Sequence, residues 1–208
     1  MARKTKEAAD LTRQKILEAA RQVFDERGVT RTTLEQIAQA AGVTRGAVYW
    51  HFANKTELFF AMRDQVTLPM IDRSDTLLFV PGSDDPLGDI EASLIDFFQI
   101  MQACPDVRRT FDIMMLRCEY VGEFAPVLHQ ILESAQAFRS KLEQAYGQAA
   151  AKNQLVPGQT PQALAFDTWL FISGLIRYWL SVYPAPAFIA QVPALIRQHM
   201  GMRRLNSF

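Results

Sequence analysis

The 208-residue sequence has no long run of uncharged apolar residues. A transmembrane helix needs about 18 or more such residues in succession, and the most apolar segment, TWLFISGLIRYWLSVY, is short and interrupted by Arg177. The charged start MARKTKEAAD is not followed by an apolar stretch, which a signal peptide would require. We therefore expect no membrane span and a place in the cytosol.

The residue types that build metal and catalytic sites are also scarce. Cys104 and Cys118 are the two cysteines, with no Cys-x-x-Cys pair, so they are too few for a zinc site and we expect them to be packing residues. Of the three histidines, His129 forms an i,i+4 pair with Glu133, which is typical of a helix surface. The sequence has no glycine-rich phosphate loop. We expect no enzyme, no cofactor and no metal.

The chain has no net charge, but its two ends differ. Residues 1–63 contain eleven Lys and Arg against seven Asp and Glu, a net of +4, and the remainder contains eleven against fifteen, a net of −4. A basic segment on a neutral protein indicates a surface for phosphate groups.

Alternating strand patterns are absent, and helical spacing of apolar residues runs through nearly the whole chain. We predict an all-α fold of about nine helices, with an N-terminal helix-turn-helix domain at 1–54 and a larger helical domain at 55–208. Gly28 ends the first helix, Thr33 and Gln36 form a capping box for the second, and Thr44 caps the third. The later helices are predicted at 55–77, 86–103, 105–120, 122–152, 160–183 and 188–203.

The segment AGVTRGAVYWHFANKTEL concentrates polar and aromatic side chains around two short helices. If Leu34, Ile37, Ala38, Val43, Val48 and Phe52 face the first helix, then Thr44, Arg45 and Tyr49 lie on the outer face. Arginine contacts guanine in the major groove, and threonine and tyrosine reach thymine methyl groups or phosphates. Gly46 would allow a close approach to the bases. Lys55, Thr32 and Thr33 lie at helix starts that favour phosphates.

The stretch TRQKILEAARQVFDERGVTRTTLEQIAQAAGVTRGAVYWHFANKTEL resembles the DNA-binding domain of the TetR family of bacterial repressors. MARKTKEAADLTRQKIL and YWHF resemble the AcrR and TtgR group, which represses multidrug efflux pumps, and DPLG, RCEYVGEF and SGLIRYWL continue that resemblance. It implies a cytoplasmic, nucleoid-associated homodimer that binds a palindromic double-stranded operator and is released by a hydrophobic small molecule. The DNA-contacting positions that it implies are Thr33, Thr44, Arg45, Gly46, Tyr49, His51 and Lys55.

Two of the aromatic positions in this motif keep alternatives. His51 can instead be a structural histidine that closes the third helix. Trp50 is expected to pack on the fourth helix, with a contact to the DNA backbone as the alternative.

The resemblance also implies an effector site and a dimer interface in the second domain. Gly174 is expected at a close helix contact across a two-fold axis, in a four-helix interface formed with the last helix. The alternative is a tolerated kink in its helix. Asp96, Asp112 and Glu119 are candidates for binding a cationic drug, although each can equally be solvated or in an ion pair. The implied effector-lining positions are Val66, Met70, Ser93, Phe97, Phe111, Met115, Phe138, Trp169, Ile172 and Ile176.

Two other functions compete with a ligand-responsive repressor. One is a helix-turn-helix regulator without a small-molecule effector. The other is a helical enzyme that carries the turn motif by chance. Loss of operator binding on addition of a ligand separates the first two, and turnover without DNA binding would indicate the third.

Overall fold

The computed structural model describes residues 2–205. These residues are helical almost throughout and contain no strand, and an isolated bridge joins Leu155 to Arg204. The helices are α1 (Ala2–Arg27), α2 (Leu34–Ala41), α3 (Arg45–His51), α4 (Lys55–Leu78), α5 (Pro86–Ala103), α6 (Pro105–Leu116), α7 (Ala125–Ala151), α8 (Pro161–Val182), the single turn α9 (Pro186–Ile189) and α10 (Val192–Gly201). The predicted all-α class and its helix-turn-helix are confirmed.

The chain divides into two compact units. Unit 1 contains residues 1–68 and 105–128, and unit 2 contains residues 69–104 and 129–208. α4 begins in unit 1 and ends in unit 2, with Pro69 inside the helix at the division. The predicted division into a DNA-binding domain at 1–54 and a ligand-binding and dimerisation domain at 55–208 stays a prediction. Compact units alone do not show which residues bind DNA or ligand.

Unit 1 has an aromatic core that joins α1, α4 and the segment after α6. Phe59 of α4 lies 6.2 Å from Phe24 and 5.5 Å from Phe124, measured between ring centroids, and all three side chains are buried. Burial of aromatic rings at these distances stabilises the unit through both transfer from water and ring contacts. α6 belongs to the same compact unit as these residues and the DNA-binding helices.

Unit 2 buries a polar cluster within an otherwise apolar core. The Tyr146 hydroxyl of α7 lies 2.7 Å from Thr168 Oγ1 of α8, which lies 3.3 Å from His199 Nε2 of α10. Buried polar groups are tolerated when they bond to one another, so this cluster fixes how α7, α8 and α10 pack. Phe98 and Trp179 continue the core with centroids 6.4 Å apart.

Two of the predicted helices differ from the structure: one ends earlier than predicted and one is divided in two. The helix predicted to reach residue 120 ends at Leu116, because Arg117 turns its carbonyl to the amide of Val29 and the Tyr120 hydroxyl donates to the carbonyl of Met114. The helix predicted at 188–203 is divided into α9 and α10. Gln191 bonds to the Phe188 carbonyl between them, and Pro193 starts α10 because proline suits the first turn of a helix.

Among residues 2–205, no helix is both long and apolar enough to cross a bilayer.

Candidate nucleic-acid interface

Local capping chemistry holds the two helices of the turn motif in place. The Thr33 side chain accepts from the Gln36 amide and the Gln36 side chain accepts from the Thr33 amide, which completes the predicted capping box. Gly42 follows α2 with φ of 66°, a left-handed conformation that favours glycine. Thr44 then caps α3 by accepting from the Ala47 amide at 3.1 Å. These contacts fix where α2 begins and ends and where α3 begins.

The inward face of the motif is the one that the spacing predicts. Ile37, Ala38, Val48 and Phe52 are buried, and Leu34 is at the limit of burial. Val43 is half-buried. Burial of this set against α1 leaves the opposite face of α3 exposed to solvent.

The outward face of α3 presents Thr44, Arg45, Gly46 and Tyr49, all exposed. The Arg45 guanidinium lies 5.3 Å from the centroid of the Tyr49 ring and 3.5 Å from its hydroxyl. The hydrogen bond to Tyr49 raises the pKa of Arg45, which keeps the side chain cationic. A methyl group built on Gly46 would make an ordinary van der Waals contact with Thr44 Oγ1 at 3.9 Å, so the protomer itself has room for a side chain there. This face can present a cation and an aromatic ring to a DNA groove.

Trp50 is 73% exposed, so the prediction that it packs on α4 is wrong. It contacts the edge of the His51 ring, at 4.5 Å between centroids. Beside it lies an open cavity of about 310 Å³ between α1 and α3, which is lined by Ala8, Ala9, Thr12, Ala47, Trp50 and His51. Small side chains on both helices create this space, and Trp50 borders it.

His51 is half-buried between the rings of Trp50 and Phe52. Burial lowers the pKa of His51, and the nearby charge of Arg13 lowers it further. The ring is therefore neutral at neutral pH and would contact a phosphate as a hydrogen-bond donor without a full charge. Its assignment as a DNA contact stays a prediction.

Lys55 is engaged within unit 1, and its side chain is only 11% exposed. Its ammonium donates to the carbonyls of Thr30 at 3.3 Å and Thr32 at 3.0 Å, pairs with Glu123 at 2.9 Å, and lies 5.3 Å from the Phe124 ring centroid. Lys55 thus joins the loop before α2 to the segment after α6. A phosphate contact by Lys55 stays a prediction and would have to compete with these partners.

Thr32 is not available for the phosphate contact that the sequence suggests. It is buried, and its hydroxyl donates to the Gly28 carbonyl at 2.7 Å. Thr33 is exposed and remains a candidate.

The implied effector-lining residues fall into both units. In unit 2, Ser93 and Ile172 are buried. The half-buried residues of this set in unit 2 are Met70, Phe97, Phe138, Trp169 and Ile176. Three of the residues, Val66, Phe111 and Met115, belong to unit 1, and seven, Met70, Ser93, Phe97, Phe138, Trp169, Ile172 and Ile176, belong to unit 2.

Two of the three acidic candidates for a cationic ligand are in ion pairs. Asp96 accepts two hydrogen bonds from Arg73, each at 2.5 Å, and the Ser74 and Ser93 hydroxyls lie 3.1 Å apart on the same two helices. Asp112 pairs with Arg117. Glu119 is exposed. These arginines reduce the ability of Asp96 and Asp112 to attract a cation.

α8 exposes a stripe of apolar residues on one face. Phe166, Leu170 and Tyr178 are 46%, 50% and 55% exposed. Gly174 is exposed between Leu170 and Tyr178, and a methyl group built on it would meet no atom within 4 Å. Large apolar side chains exposed in a row are typical of an interface with another chain.

Both parts of the chain match models of known families. Residues 16–62 match the model for bacterial regulatory proteins of the tetR family, and residues 85–205 match the C-terminal region of MAATS-type transcriptional repressors. The chain belongs to the tetR family of bacterial transcriptional regulators. Members of this family are DNA-binding regulators without catalytic activity, which agrees with the prediction that the protein is not an enzyme.

Relatives match this tetR-family chain from end to end. The regulator TtgR of Pseudomonas putida is 33% identical in sequence, in an alignment that covers 99% of this chain and 98% of TtgR. The structure of NalD, the secondary repressor of the MexAB-OprM multidrug efflux pump in Pseudomonas aeruginosa, is 34% identical and superposes with a TM-score of 0.84, over 97% of this chain and 100% of that one. The structure of SmeT in complex with triclosan is 28% identical in sequence to this chain and superposes with a TM-score of 0.81. The match covers 95% of this chain and 93% of the SmeT chain.

Several polar residues are buried in this regulator although the sequence pattern did not single them out, and Arg21 is among them. Arg21 lies on the buried face of α1, four residues after Leu17, and is itself buried. The signal was available, because a charge stands in the middle of the apolar repeat that predicts α1. Its partners on α4 and α6 could not be identified, because they are distant along the chain.

Proposed function

We propose that this protein is a homodimeric repressor that binds a near-palindromic operator through α3 and dissociates when it binds a hydrophobic molecule. The observation that carries the proposal is the exposed outer face of α3, where Thr44, Arg45 and Tyr49 lie side by side over a capped and buried framework. Arginine in this position can contact guanine, and the neighbouring hydroxyls can contact phosphates. Such a protein acts on the nucleoid in the bacterial cytosol.

The regulated genes are proposed from the relatives. NalD represses a multidrug efflux pump, and SmeT is the repressor of the efflux pump SmeDEF of Stenotrophomonas maltophilia. Relatives of similar length share the helix-turn-helix and the C-terminal helices with this chain. We infer that this regulator likewise represses a multidrug efflux operon.

The effector is proposed to bind among the half-buried aromatic and aliphatic side chains of unit 2, including Met70, Phe97 and Trp169. Flexible methionine and flat aromatic rings adapt to several apolar shapes. The pairing of Asp96 with Arg73 disfavours a requirement for cationic ligands. Triclosan, which is bound in the SmeT complex, is therefore a suitable uncharged or weakly acidic probe.

The homodimer is proposed to form through the exposed α8 stripe of Phe166, Leu170, Gly174 and Tyr178. Isologous dimers place the same patch of both subunits around a two-fold axis. Glycine at the centre of the stripe would let two helices approach closely. Two recognition helices related by this axis require an operator whose half-sites are about one helical turn apart.

Selection of duplexes from a random-sequence library tests the proposal. We expect an enriched near-palindrome with half-sites separated by about 10 base pairs, and release of that duplex by triclosan in a fluorescence anisotropy titration. Enrichment of no sequence would refute operator recognition. Enrichment without release by triclosan or by other apolar probes would favour a regulator that has no small-molecule effector.

A further inference from the structure

Arg21 is a buried charge on the apolar face of α1. Its side chain is 3% exposed and lies among Leu17, Ala20 and Phe24, which are fully buried. A buried guanidinium is tolerated only when its donors are matched by acceptors. The position of Arg21 is therefore set by its polar partners.

The partners of Arg21 come from three helices. Nε donates to Thr110 Oγ1 of α6 at 3.2 Å, and NH1 lies 3.3 Å from the Asp106 carboxylate of the same helix. NH2 donates to Gln65 Oε1 of α4 at 3.1 Å, and NH1 also pairs with Glu18 of α1. We call these residues the Arg21 cluster: Arg21, Glu18, Gln65, Asp106 and Thr110.

α6 is attached to α1 at a second place, near its C-terminal end. The Val29 amide donates to the Arg117 carbonyl at 3.1 Å, and Arg117 Nε lies 3.1 Å from the Asp25 carboxylate. The Arg117 side chain is 44% exposed, so its ion pair is weakened by solvent. The buried side-chain attachment is therefore the one through Arg21.

Within the Arg21 cluster, the bond from Arg21 to Thr110 is buried at both ends. Such a bond responds to small displacements, since hydrogen bonds weaken steeply as donor and acceptor move out of line. A movement of α6 along α1 would separate Thr110 and Asp106 from Arg21. The guanidinium would then be left buried with fewer acceptors, which is unfavourable. α1 must follow α6 to keep the bonds, and α1 carries the framework on which α2 and α3 are packed.

We propose that Arg21 is a positioning residue that couples α6 to the DNA-binding helices. The inference rests on the proposed function for its consequence, because Thr110 is adjacent to Phe111, one of the positions that the family resemblance implies in effector binding. It assigns that coupling to a single buried side chain. Lysine has one ammonium and cannot contact α4 and α6 with separate nitrogens, so charge alone is not sufficient.

Hydrogen exchange of the α6 amides with and without DNA tests the coupling without any effector. The experiment uses the full-length protein and a duplex selected by the wild type from a random library. Because coupling is reciprocal, saturating duplex should slow exchange in α6 of the wild type by about 5-fold or more, which is the lower end of typical allosteric coupling. We expect less than a 2-fold change in Arg21→Met and Arg21→Lys.

Two further variants separate positioning from stability. Thr110→Val keeps the side-chain shape and removes the acceptor on α6, and it should reduce the slowing in the same way even if Arg21→Met does not fold. Arg117→Gln changes the exposed attachment just after the end of α6 and should keep the wild-type slowing. Thermal unfolding of each variant shows whether a loss of slowing merely follows a loss of stability.

The remaining outcomes overturn the proposal. An unchanged wild-type response in both Arg21→Met and Thr110→Val would show that Arg21 does not carry the coupling, and so would an equal loss in Arg117→Gln. Absence of any α6 response in the wild type would also overturn it. Lack of release by triclosan would instead count against the effector part of the proposed function, and the exchange data would still stand.

Discussion

Arg45 stands on the exposed face of α3 over the ring of Tyr49, and this placement makes a prediction about specificity. If Arg45 contacts a base, Arg45→Ala should weaken binding to the selected duplex by about 1–3 kcal/mol and should relax sequence preference at one position. Binding to random DNA should change much less, because phosphate contacts supply most of that affinity. Anisotropy titrations with both duplexes measure the two effects.

Arg109→Ala is the matched control, since Arg109 is an exposed arginine on α6 and its removal changes the net charge equally. It should lower affinity for both duplexes by similar and small amounts. An equal loss on specific and random DNA for Arg45→Ala would remove Arg45 from the base contacts.

Individual side chains also show where sequence patterns stop being informative. The caps of Thr33 and Thr44 could be predicted because their partners lie three residues away. The role of Lys55 could not, because its partners Thr30, Thr32 and Glu123 lie up to 68 residues away along the chain. A local pattern identified a cation beside a helix start, and only the fold shows which acceptors surround it.

The buried position of His199 predicts that the free energy of unfolding depends on pH. Burial lowers the pKa of His199 from 6.5 to about 4, and Arg203 lowers it while Asp167 opposes the shift. The ring stacks on Phe171 at 3.9 Å and contacts the Thr168 hydroxyl. Because the native pKa is depressed, the unfolded state binds the proton more readily. Stability is complete above about pH 6.5 and falls as the pH drops toward 4.

The size of the effect follows from the shift. Each pKa unit corresponds to about 1.4 kcal/mol, so the folded protein should lose roughly 3 kcal/mol from this group on full protonation. Denaturant unfolding of the wild type and of His199→Gln at several pH values measures the difference. A difference that does not change between pH 7 and pH 4 would show that His199 is not buried as a neutral ring.

At the scale of single helices, α8 offers a clean test of assembly. Gly174→Leu adds a side chain where the protomer leaves open space, so it should not disturb the fold of the protomer. If α8 packs against its copy, the same side chain should separate the two helices. We expect monomers in sedimentation velocity and weak binding to the selected duplex.

Gly147→Leu is the corresponding control on α7, where an added methyl group also meets no atom within 4 Å. Both changes replace a helical glycine and should raise helix stability by similar amounts. A wild-type protein that sediments as a monomer, or a Gly174→Leu variant that remains dimeric, would contradict the α8 interface.

Helix bounds followed from local signals wherever a cap or a proline marked them. Pro86 and Ala103 bound α5 as predicted, because Asp85 caps the helix and Pro105 follows it. The end of α6 was missed because a tertiary bond from Val29 to Arg117 decides it. The same attachment explains why α6 joins the DNA-binding helices in one compact unit, which no local pattern in residues 105–120 indicates.

At the scale of the whole molecule, two binding events must be linked if the protein is a ligand-responsive repressor. α4 is continuous from Lys55 in unit 1 to Leu78 in unit 2, and α6 is attached to α1 through Arg21. Each provides a physical connection between the DNA-binding helices and residues implied in effector binding. Linkage requires that the effect of ligand on operator affinity equals the effect of operator on ligand affinity.

The affinity for triclosan with and without operator tests this equality of the two effects. Coupling of about 1–3 kcal/mol is typical and corresponds to about 5- to 150-fold in affinity, so triclosan should bind the free protein at least about 5-fold more tightly than it binds the protein–operator complex. Calorimetric titration with and without the selected duplex measures both affinities. Random DNA of the same length is the control and should leave the triclosan affinity closer to that of the free protein. Equal affinities in all three titrations would exclude triclosan as an inducer, and the same result for a panel of apolar probes would favour a regulator that acts without an effector.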